Sequence, residues 1–203
     1  GYELWLTPRH AERVWDLLME RGAAYGLTPA GMLALDIARI EAGFPLIEID
    51  YIPAPRALTP AQTSSPFEAG LGWTINFDKG NFVGRRALLA EKARGSTWAF
   101  VGLEVHWPEI EALYNKFDLA AKVGGRASRS PAPLYKAGRH IGQATSHTYS
   151  PLLKKYIALA TIEREQAAPG AELHMEMTVE FTRQQARATV VELPFFDPTR
   201  KRG

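Results

Sequence analysis

Apolar and polar residues alternate without a break along Leu173-His174-Met175-Glu176-Met177-Thr178-Val179-Glu180-Phe181-Thr182. Successive side chains of a strand point to opposite faces, so this alternation predicts a strand with one buried face. The segment Arg183-Gln184-Gln185 is expected to turn the chain into a partner strand over residues 186–193. The pattern therefore predicts an antiparallel hairpin near the end of the chain.

Further strand patterns lie upstream of this hairpin. We expect strands over residues 98–106, 141–146 and 156–162, with the Ser150-Pro151 turn between the last two. A short helix is expected over residues 108–117. Short strands separated by turn residues predict a small antiparallel barrel or sandwich.

The first half of the chain mixes helix and strand signals. Thr7-Pro8 and Thr28-Pro29 each combine an N-cap residue with an early proline, which predicts helices that end at Gly22 and Gly43. The remaining expected elements are strands over 1–6, 44–51 and 71–77, a loop over 53–66 and a helix over 84–93. Because the pattern changes near Ser96, we expect an α+β protein with domains over 1–95 and 96–203.

The composition excludes several classes of protein. The chain has 203 residues and no cysteine, which excludes disulfide scaffolds, thiolate metal sites and cysteine nucleophiles. No apolar run approaches the roughly 20 residues that span a bilayer. The 24 Lys and Arg residues against 22 Asp and Glu residues are too balanced to favour nucleic acid as a partner. We therefore expect a cytoplasmic protein that binds neither nucleic acid nor a membrane.

The chain opens on Gly1-Tyr2-Glu3-Leu4-Trp5-Leu6, which reads as an apolar strand without an initiator methionine. Domains seldom begin inside a core strand, because chain termini usually lie at the surface. We therefore expect a missing N-terminal segment, or a partner subunit that supplies it.

Few residues indicate chemistry by themselves. The five histidines lack the spacing of metal ligands, and no nucleophile-elbow, P-loop or dinucleotide motif is present, so neither a metal site nor a catalytic residue is assigned. Asp36, Arg39 and Glu41 cluster near the end of the second helix, and Glu48 and Asp50 follow in the next predicted strand. Asp36 and Arg39 share a helix face, and this spacing fits an ordinary ion pair as well as a binding role.

Seven motifs follow one another along the chain: Gly1-Tyr2-Glu3, Leu35-Asp36-Ile37-Ala38-Arg39-Ile40-Glu41-Ala42-Gly43, Pro66-Phe67-Glu68-Ala69-Gly70-Leu71-Gly72-Trp73, Phe82-Val83-Gly84-Arg85, Ile141-Gly142-Gln143-Ala144-Thr145-Ser146, Ser150-Pro151-Leu152-Leu153-Lys154-Lys155 and Leu193-Pro194-Phe195-Phe196. In this order they resemble the aminomethyltransferase family, to which the glycine cleavage system T-protein belongs. The resemblance covers essentially the whole chain. The ending Pro194-Phe195-Phe196-Asp197-Pro198 also resembles the tetrahydrofolate domains of dimethylglycine and sarcosine dehydrogenases.

The resemblance implies a tetrahydrofolate-dependent transferase. Such an enzyme moves an aminomethyl or methyl group from a small-molecule one-carbon donor to tetrahydrofolate. It also implies that residues 1–95 are the C-terminal part of a folate-binding α+β body and that residues 96–203 are a small β-barrel domain.

The resemblance further assigns cofactor-binding residues. Glu3 is expected to accept two N–H donors of the pterin, since one carboxylate can accept both. Arg39 would donate to pterin or substrate acceptors, and Trp73 would pack on the cofactor. Lys155, with Lys154, and Arg202, with Arg200 and Lys201, would hold the anionic folate tail. The alternatives are a core tryptophan and solvated cations.

The chain also departs from the family pattern. The family's acid–base aspartate lies upstream of the Gly1-Tyr2-Glu3 motif, so this chain is expected to lack it. Ile47 stands where many members have tyrosine, His147 replaces a usual glycine, and the loop over 53–66 is longer than in the T-protein. The one-carbon donor is therefore not expected to be that of glycine cleavage.

Two other readings stay open. One is a non-catalytic folate-binding or regulatory module, like the relatives that support tRNA modification and iron–sulfur assembly. The segment 79–85 lacks the cysteine and the glutamine of that group's signature, which argues against this branch but leaves folate binding without chemistry. The other is a structural subunit that completes the pocket of another protein.

Overall fold

Residues 98–191 form an antiparallel barrel. The computed structural model describes residues 2–199, and within this range six strands pair in the closed order β1-β4-β3-β2-β5-β6. Their bounds are β1 Trp98–Val105, β2 Ala132–Lys136, β3 Arg139–Ser150, β4 Lys155–Glu163, β5 Glu172–Val179 and β6 Thr182–Val191. The expected small barrel, and with it the α+β class, is confirmed.

The hairpin of β5 and β6 turns earlier than the sequence predicts. Val179 pairs with Thr182, so Glu180 and Phe181 form the loop. Both loop residues have positive φ, 46° and 59°, which is the geometry of tight hairpin turns that match the twist of the strands. The predicted turn over 183–185 is wrong, because these residues continue the ladder with β5.

The barrel interior is filled by alternate residues of its strands. The fully buried large side chains of this core include Leu103, Leu134, Ile141, Ile162, Leu173, Met175 and Val190. Helix α4, Trp107–Asn115, adds Ile110 and Leu113 to the same core. Each such burial stabilises the fold by about 1.5–3 kcal/mol, so the alternation of residues 173–179 fixes which face of β5 turns inward.

The other helices precede the barrel. They are α1 Ala11–Gly22, α2 Met32–Glu41 and α3 Arg85–Arg94. Single 3₁₀ turns occur at Pro8–His10, Ala23–Tyr25, Ala54–Arg56, Pro60–Gln62, Gly72–Thr74 and Arg164–Gln166. The three predicted helices are confirmed, but α2 begins at Met32 after Gly31 as N-cap, so the predicted start at Thr28-Pro29 is wrong. No helix within residues 2–199 is both long and apolar enough to cross a membrane.

Three strands predicted for the first half are not formed in the described part of the chain. Residues 2–6 belong to no regular element, and Gly1 lies outside the described residues. The segment 44–51 consists of turns with an isolated bridge between Ile47 and Tyr51, and the segment 71–77 contains a 3₁₀ turn instead of a strand. A strand requires a neighbour for its backbone hydrogen bonds, and residues 2–199 supply none at these places.

Helix α2 is attached to the outside of the barrel. Ile40 is fully buried against Ile157 and Leu159. These two residues lie on the outer face of β4, because they alternate with the residues that face the barrel interior. Leu193 packs against the same cluster, and the Phe196 N–H donates to the Glu41 carbonyl over 2.9 Å. The end of the chain thus returns to α2 and holds it against β4.

Candidate functional site

Arg39 lies at the centre of a network that joins α2 to the barrel. Its Nε donates to Asp36 Oδ1 over 2.9 Å, and its NH1 group donates to Asp50 Oδ2 over 2.5 Å. Its NH2 group donates to Ser146 Oγ on β3 over 2.7 Å. The Arg39 side chain is only 10% exposed, so these are buried contacts. The i, i+3 ion pair expected from spacing is confirmed as one part of a larger arrangement.

Asp50 has hydrogen bonds on both carboxylate oxygens. The hydroxyls of Thr145 and Ser146 donate to Oδ1 over 2.5 and 2.7 Å. The Leu46 backbone N–H donates to Oδ2 over 2.7 Å, which closes the turn that carries Asp50. With a side chain that is 0% exposed and Arg39 as counter-ion, this carboxylate is an anchoring group rather than one open to a ligand.

Asp36 is held by two guanidinium groups. Arg129, from the loop before β2, donates from Nε to Asp36 Oδ2 over 3.0 Å, opposite the Arg39 contact. Burial alone would raise the pKa of Asp36, but the hydrogen bonds and charges of Arg39 and Arg129 outweigh burial and lower that pKa below its ordinary value. Asp36 therefore stays ionised and serves as the acceptor between the two arginines.

Two more buried carboxylates have hydroxyl partners. Ser150 Oγ donates to Glu41 Oε1 over 2.5 Å. Ser65 and Ser96 donate to Glu91 Oε1 over 2.5 and 2.7 Å. Glu48 differs, because it is exposed and pairs with Arg56 outside the network of Arg39.

His147 and Tyr156 form a second polar pair on adjacent strands. His147 Nδ1 lies 2.7 Å from the Tyr156 hydroxyl. Burial lowers the pKa of His147 and raises the pKa of Tyr156 to about 12, so both are neutral at pH 7. The residue that departs from the family pattern thus occupies a packed position beside Ser146.

The residues predicted to bind a cofactor lie in separate places. Glu3 is exposed on the segment before α1, and it has no side-chain hydrogen bond within residues 2–199. Trp73 is 82% exposed and lines a groove of about 330 Å³ with Phe44 and Leu193. Arg202 lies outside the described residues.

Lys155 forms an ion pair with Glu104 of β1 on the barrel. Its Nζ donates to both carboxylate oxygens of Glu104 over 2.7 and 2.8 Å. Lys154 and Lys155 line a groove of about 370 Å³ together with His106 and Arg187. Arg187 is itself paired with Glu109 over 3.1 Å, so this groove carries charges of both signs. The structure thus does not bring Lys155 together with Glu3, Arg39 or Trp73, and these four assignments stay predictions.

The sequence did not reveal the hydroxyl groups of the network. Thr145 and Ser146 lie about a hundred residues from the acidic and basic residues they contact, and hydroxyl residues are too common to signal a contact. Their occurrence in the motif Ile141-Gly142-Gln143-Ala144-Thr145-Ser146 was the one available signal. Within residues 2–199, no group of three or more His, Asp or Glu side chains is arranged to hold a metal ion.

Comparison with known proteins gives two family matches in order along the chain. Residues 1–79 match the model described as GCVT N-terminal domain, and residues 118–197 match the model described as glycine cleavage T-protein C-terminal barrel domain. The second match lies on the barrel described above.

Curated relatives match nearly the whole chain. The chain is 35% identical over 196 residues to an aminomethyltransferase of Halothermothrix orenii, which covers 96% of this chain and 46% of the relative. It is 34% identical over 197 residues to an aminomethyltransferase of Streptomyces avermitilis, covering 97% of this chain and 46% of the relative. The chain therefore spans just under half the length of these relatives.

A solved structure has the same fold. The crystal structure of glycine cleavage system aminomethyltransferase T from Bartonella henselae superposes with a TM-score of 0.67 at 22% sequence identity, over 91% of this chain and 44% of that chain.

Proposed function

Because this chain belongs to the aminomethyltransferase family, we propose that it takes part in tetrahydrofolate-dependent transfer of an aminomethyl or methyl group from a small amine or methylated donor to tetrahydrofolate. The observation that carries the proposal is the match of both family models, in order, over residues 1–79 and 118–197. In this proposal residues 1–95 contribute to the folate-binding body and residues 96–203 form the barrel domain. The proposed setting is the cytoplasm.

Glu3 is the proposed pterin ligand. A pterin presents a ring N–H beside an exocyclic amine, and a carboxylate with both oxygens available accepts the two together. Glu3 is exposed and has no side-chain hydrogen bond within residues 2–199, so its two oxygens are available. The chemistry of this side chain therefore fits the cofactor.

The rest of the cofactor is proposed to be held by Trp73, Lys155 and Arg202. The exposed Trp73 ring offers a face for stacking on a planar ring. Lys155 would exchange Glu104 for the carboxylates of the folate tail, which is feasible because an exposed ion pair is worth only about 0–1 kcal/mol. Arg202 would assist at the same anionic end.

Arg39 is proposed to act mainly as a positioning residue, because it holds neighbouring parts of the protein in place. Its three nitrogen atoms already make four hydrogen bonds, the fourth from NH1 to the Phe44 carbonyl oxygen over 3.5 Å, which leaves one of the five N–H groups, on NH2, for pterin or substrate. By fixing α2 and the turn at Asp50 against β3, Arg39 would keep one wall of the folate site in place. Its substitution is therefore expected to affect both stability and folate affinity.

The alternative is a non-catalytic folate-binding or regulatory module. Among the described residues, the buried carboxylates Asp36, Glu41, Asp50 and Glu91 all accept hydrogen bonds within the protein, and none of them is assigned an acid–base role here. In the catalytic proposal the acid–base group comes from a further polypeptide, in cis or in trans, that supplies the remainder found in the relatives. In the alternative no such group is needed.

A chimera would test the proposal. This chain replaces the 196 matched residues of the Halothermothrix orenii aminomethyltransferase, and the product is called the completed protein below. We expect 5-formyltetrahydrofolate to raise its melting temperature, because a ligand that binds only the folded state stabilises it by mass action. The absence of any shift at saturating ligand would reject the folate proposal.

A second measurement separates catalysis from binding alone. Single-turnover demethylation of dimethylglycine or sarcosine, or release of ammonia from an aminomethyl donor, is measured with and without tetrahydrofolate. Product formation that depends on tetrahydrofolate supports the transferase. Folate binding without product from any of these donors supports the binding module.

A further inference from the structure

A cavity of about 430 Å³ lies between the outside of the barrel and the irregular segment that precedes α3. The barrel contributes Trp98 of β1, Thr161 of β4 and Gln143 of β3 to its lining. Residues 48–52 and 61–64 contribute to the opposite wall. Pockets that bind small molecules have volumes of about 300–1,000 Å³, so this cavity is large enough to hold such a ligand.

The strand register places the three barrel side chains next to one another. Thr161 pairs directly with Gln143 of β3, and Trp98 of β1 is its diagonal neighbour, because Trp98 itself pairs with Glu163. The residues on either side of Thr161 belong to the barrel core, so its own side chain points outward. Side chains that are direct or diagonal neighbours on one face of a sheet can contact the same ligand.

The wall opposite the barrel is closed by contacts within the chain. The Glu48 N–H donates to the Tyr51 carbonyl oxygen over 2.8 Å, and an isolated bridge joins Ile52 to Thr63. Asp50, which also lines the cavity, is fixed by the buried network described above. The cavity is therefore formed before a ligand binds, which lowers the entropic cost of binding.

Several polar side chains that line the cavity have no partner in the protein. Within residues 2–199, the Gln143 amide and the hydroxyls of Thr161 and Tyr51 make no hydrogen bond, and Trp98 donates only from its backbone N–H. By contrast, the Thr145 hydroxyl two positions further along β3 donates to a buried carboxylate. The cavity thus offers donors and acceptors to a ligand.

The lining also combines aromatic rings with an absence of unpaired charge. Tyr51 and Trp98 contribute rings, and neither contacts another aromatic ring within residues 2–199. The carboxylates of Glu48 and Asp50 are each paired with an arginine, and no lysine or arginine belongs to the described lining. A charged group would find no unpaired counter-ion here, so the bound part of a ligand is expected to be uncharged.

We propose that this cavity binds a planar, uncharged heterocycle with a cyclic amide edge, the chemistry of the base of a nucleoside. The Gln143 amide has a carbonyl acceptor and an amino donor, so it pairs with the N–H and the carbonyl of such an edge together. Tyr51 and Trp98 supply faces on which a base stacks. Because Gln143 and Trp98 are exposed, the cavity is open to solvent and the sugar can stay outside.

The same lining favours a single nucleoside over a nucleic acid. Nucleic-acid binding depends largely on lysine and arginine side chains that contact phosphates, and the described lining contains neither. The cavity also contains none of Glu3, Trp73 and Lys155, to which the folate is assigned under the proposed function. The inferred site is therefore additional to that function.

An NMR titration of this chain with nucleosides tests the proposal. Inosine and uridine both carry a cyclic amide edge, and 1-methylinosine is the matched control ligand because a methyl group replaces the N–H hydrogen of that edge. We expect inosine to bind with a Kd on the order of 0.1 mM, which is usual for the binding efficiency of a ligand of this size. The affinity for 1-methylinosine should be at least about tenfold lower, because the Gln143 carbonyl then lacks its donor.

Two glutamines of the barrel give a matched pair of variants. Gln143 and Gln185 are both exposed strand residues, but only Gln143 lines the cavity. Gln143→Ala is expected to weaken inosine binding at least about tenfold and to remove the preference over 1-methylinosine. Gln185→Ala should leave both affinities unchanged. Trp98→Leu should weaken both ligands by a similar factor, because it removes a stacking face and no contact with the amide edge.

Three results would overturn the proposal: no binding of inosine or uridine at millimolar concentration, equal affinities of this chain for inosine and 1-methylinosine, or equal effects of the two glutamine substitutions.

A competition experiment separates this site from the proposed folate site. The pterin of 5-formyltetrahydrofolate also has a cyclic amide edge, so this folate is added to the completed protein with inosine bound. We expect no displacement of inosine. Displacement, together with weaker folate binding in Gln143→Ala, would make the cavity part of the folate site and overturn the inference of an additional one. Binding of inosine by a protein that ignores folate rejects the proposed function and leaves this site intact.

Discussion

Arg39 NH2 on α2 and Ser146 Oγ on β3 lie 2.7 Å apart although 107 positions separate the two residues along the chain. Through this contact, the helix that precedes the barrel and the barrel itself share one buried polar network. The same guanidinium group binds Asp36 and Asp50, so a single side chain connects three segments. Such a residue is expected to influence stability more than an ion pair at the surface.

Replacement of Arg39 by alanine should therefore destabilise the fold strongly. The change leaves Asp50 buried without its counter-ion, and breaking a buried pair in this way costs about 3–5 kcal/mol. Urea denaturation of this chain measures the loss. Arg129→Ala is the control, because the Arg129 side chain is 50% exposed and its pair with Asp36 should contribute less than about 1 kcal/mol. Similar losses in both variants would contradict the central position of Arg39.

The stability of the chain should fall as the pH is lowered below the ordinary His147 pKa of 6.5. Burial lowers the pKa of His147 in the folded state, so the unfolded chain binds more protons over this range. The free energy of unfolding then rises with pH, by up to about 1.4 kcal/mol per pH unit between the folded and unfolded pKa values. Urea denaturation at pH 7.5, 6.5 and 5.5 tests this expectation.

Two variants identify His147 as the source of that dependence. His147→Asn removes the titrating group and should flatten the profile. Tyr156→Phe removes the hydroxyl partner but keeps the site buried, so most of the pH dependence should persist. A profile that is equally steep in His147→Asn would assign the dependence to another group.

A methyl group added at Gly142 should disrupt the contact of β3 with β4. Gly142 has a φ of 149°, and a Cβ placed there would lie 2.2 Å from the Thr161 carbonyl oxygen. Gly142→Ala is expected to lose more than about 2 kcal/mol of unfolding free energy, because both backbone strain and a steric overlap are introduced. Gly138→Ala is the matched control in the same hairpin, since φ there is 76° with no atom within 4 Å. Equal losses of unfolding free energy in the two variants would show that backbone conformation, and not the overlap with Thr161, causes the destabilisation.

The barrel could be predicted because its signal is local. The alternation of residues 173–179 predicts which face of that same strand is buried. The strands expected over 44–51 and 71–77 are not formed. Their formation is not a local property, because a strand exists only where a second segment accepts its hydrogen bonds. The hairpin turn at Glu180 and Phe181 was missed because neither residue type is common at positive φ.

The site was predicted in part for similar reasons. Asp36 and Arg39 are neighbours on a helix, so their contact follows from spacing. The contact of Asp50 with Thr145 depends on how the turn after α2 packs against β3, and no local sequence pattern indicates that packing. Glu3 and Trp73 are exposed, so no packing within the described residues indicates their predicted roles.

Isothermal titration of the completed protein with 5-formyltetrahydrofolate measures whether the protein binds folate and whether Glu3 contributes to that binding. The unsubstituted protein should bind the ligand, and Glu3→Gln should weaken binding about 10–100-fold, since charged hydrogen bonds contribute about 1.5–3 kcal/mol each. Glu12→Gln, which alters an exposed carboxylate on α1, should bind like the unsubstituted protein. Absence of binding by the unsubstituted protein would contradict the folate function, and equal affinity of all three proteins would contradict the role of Glu3.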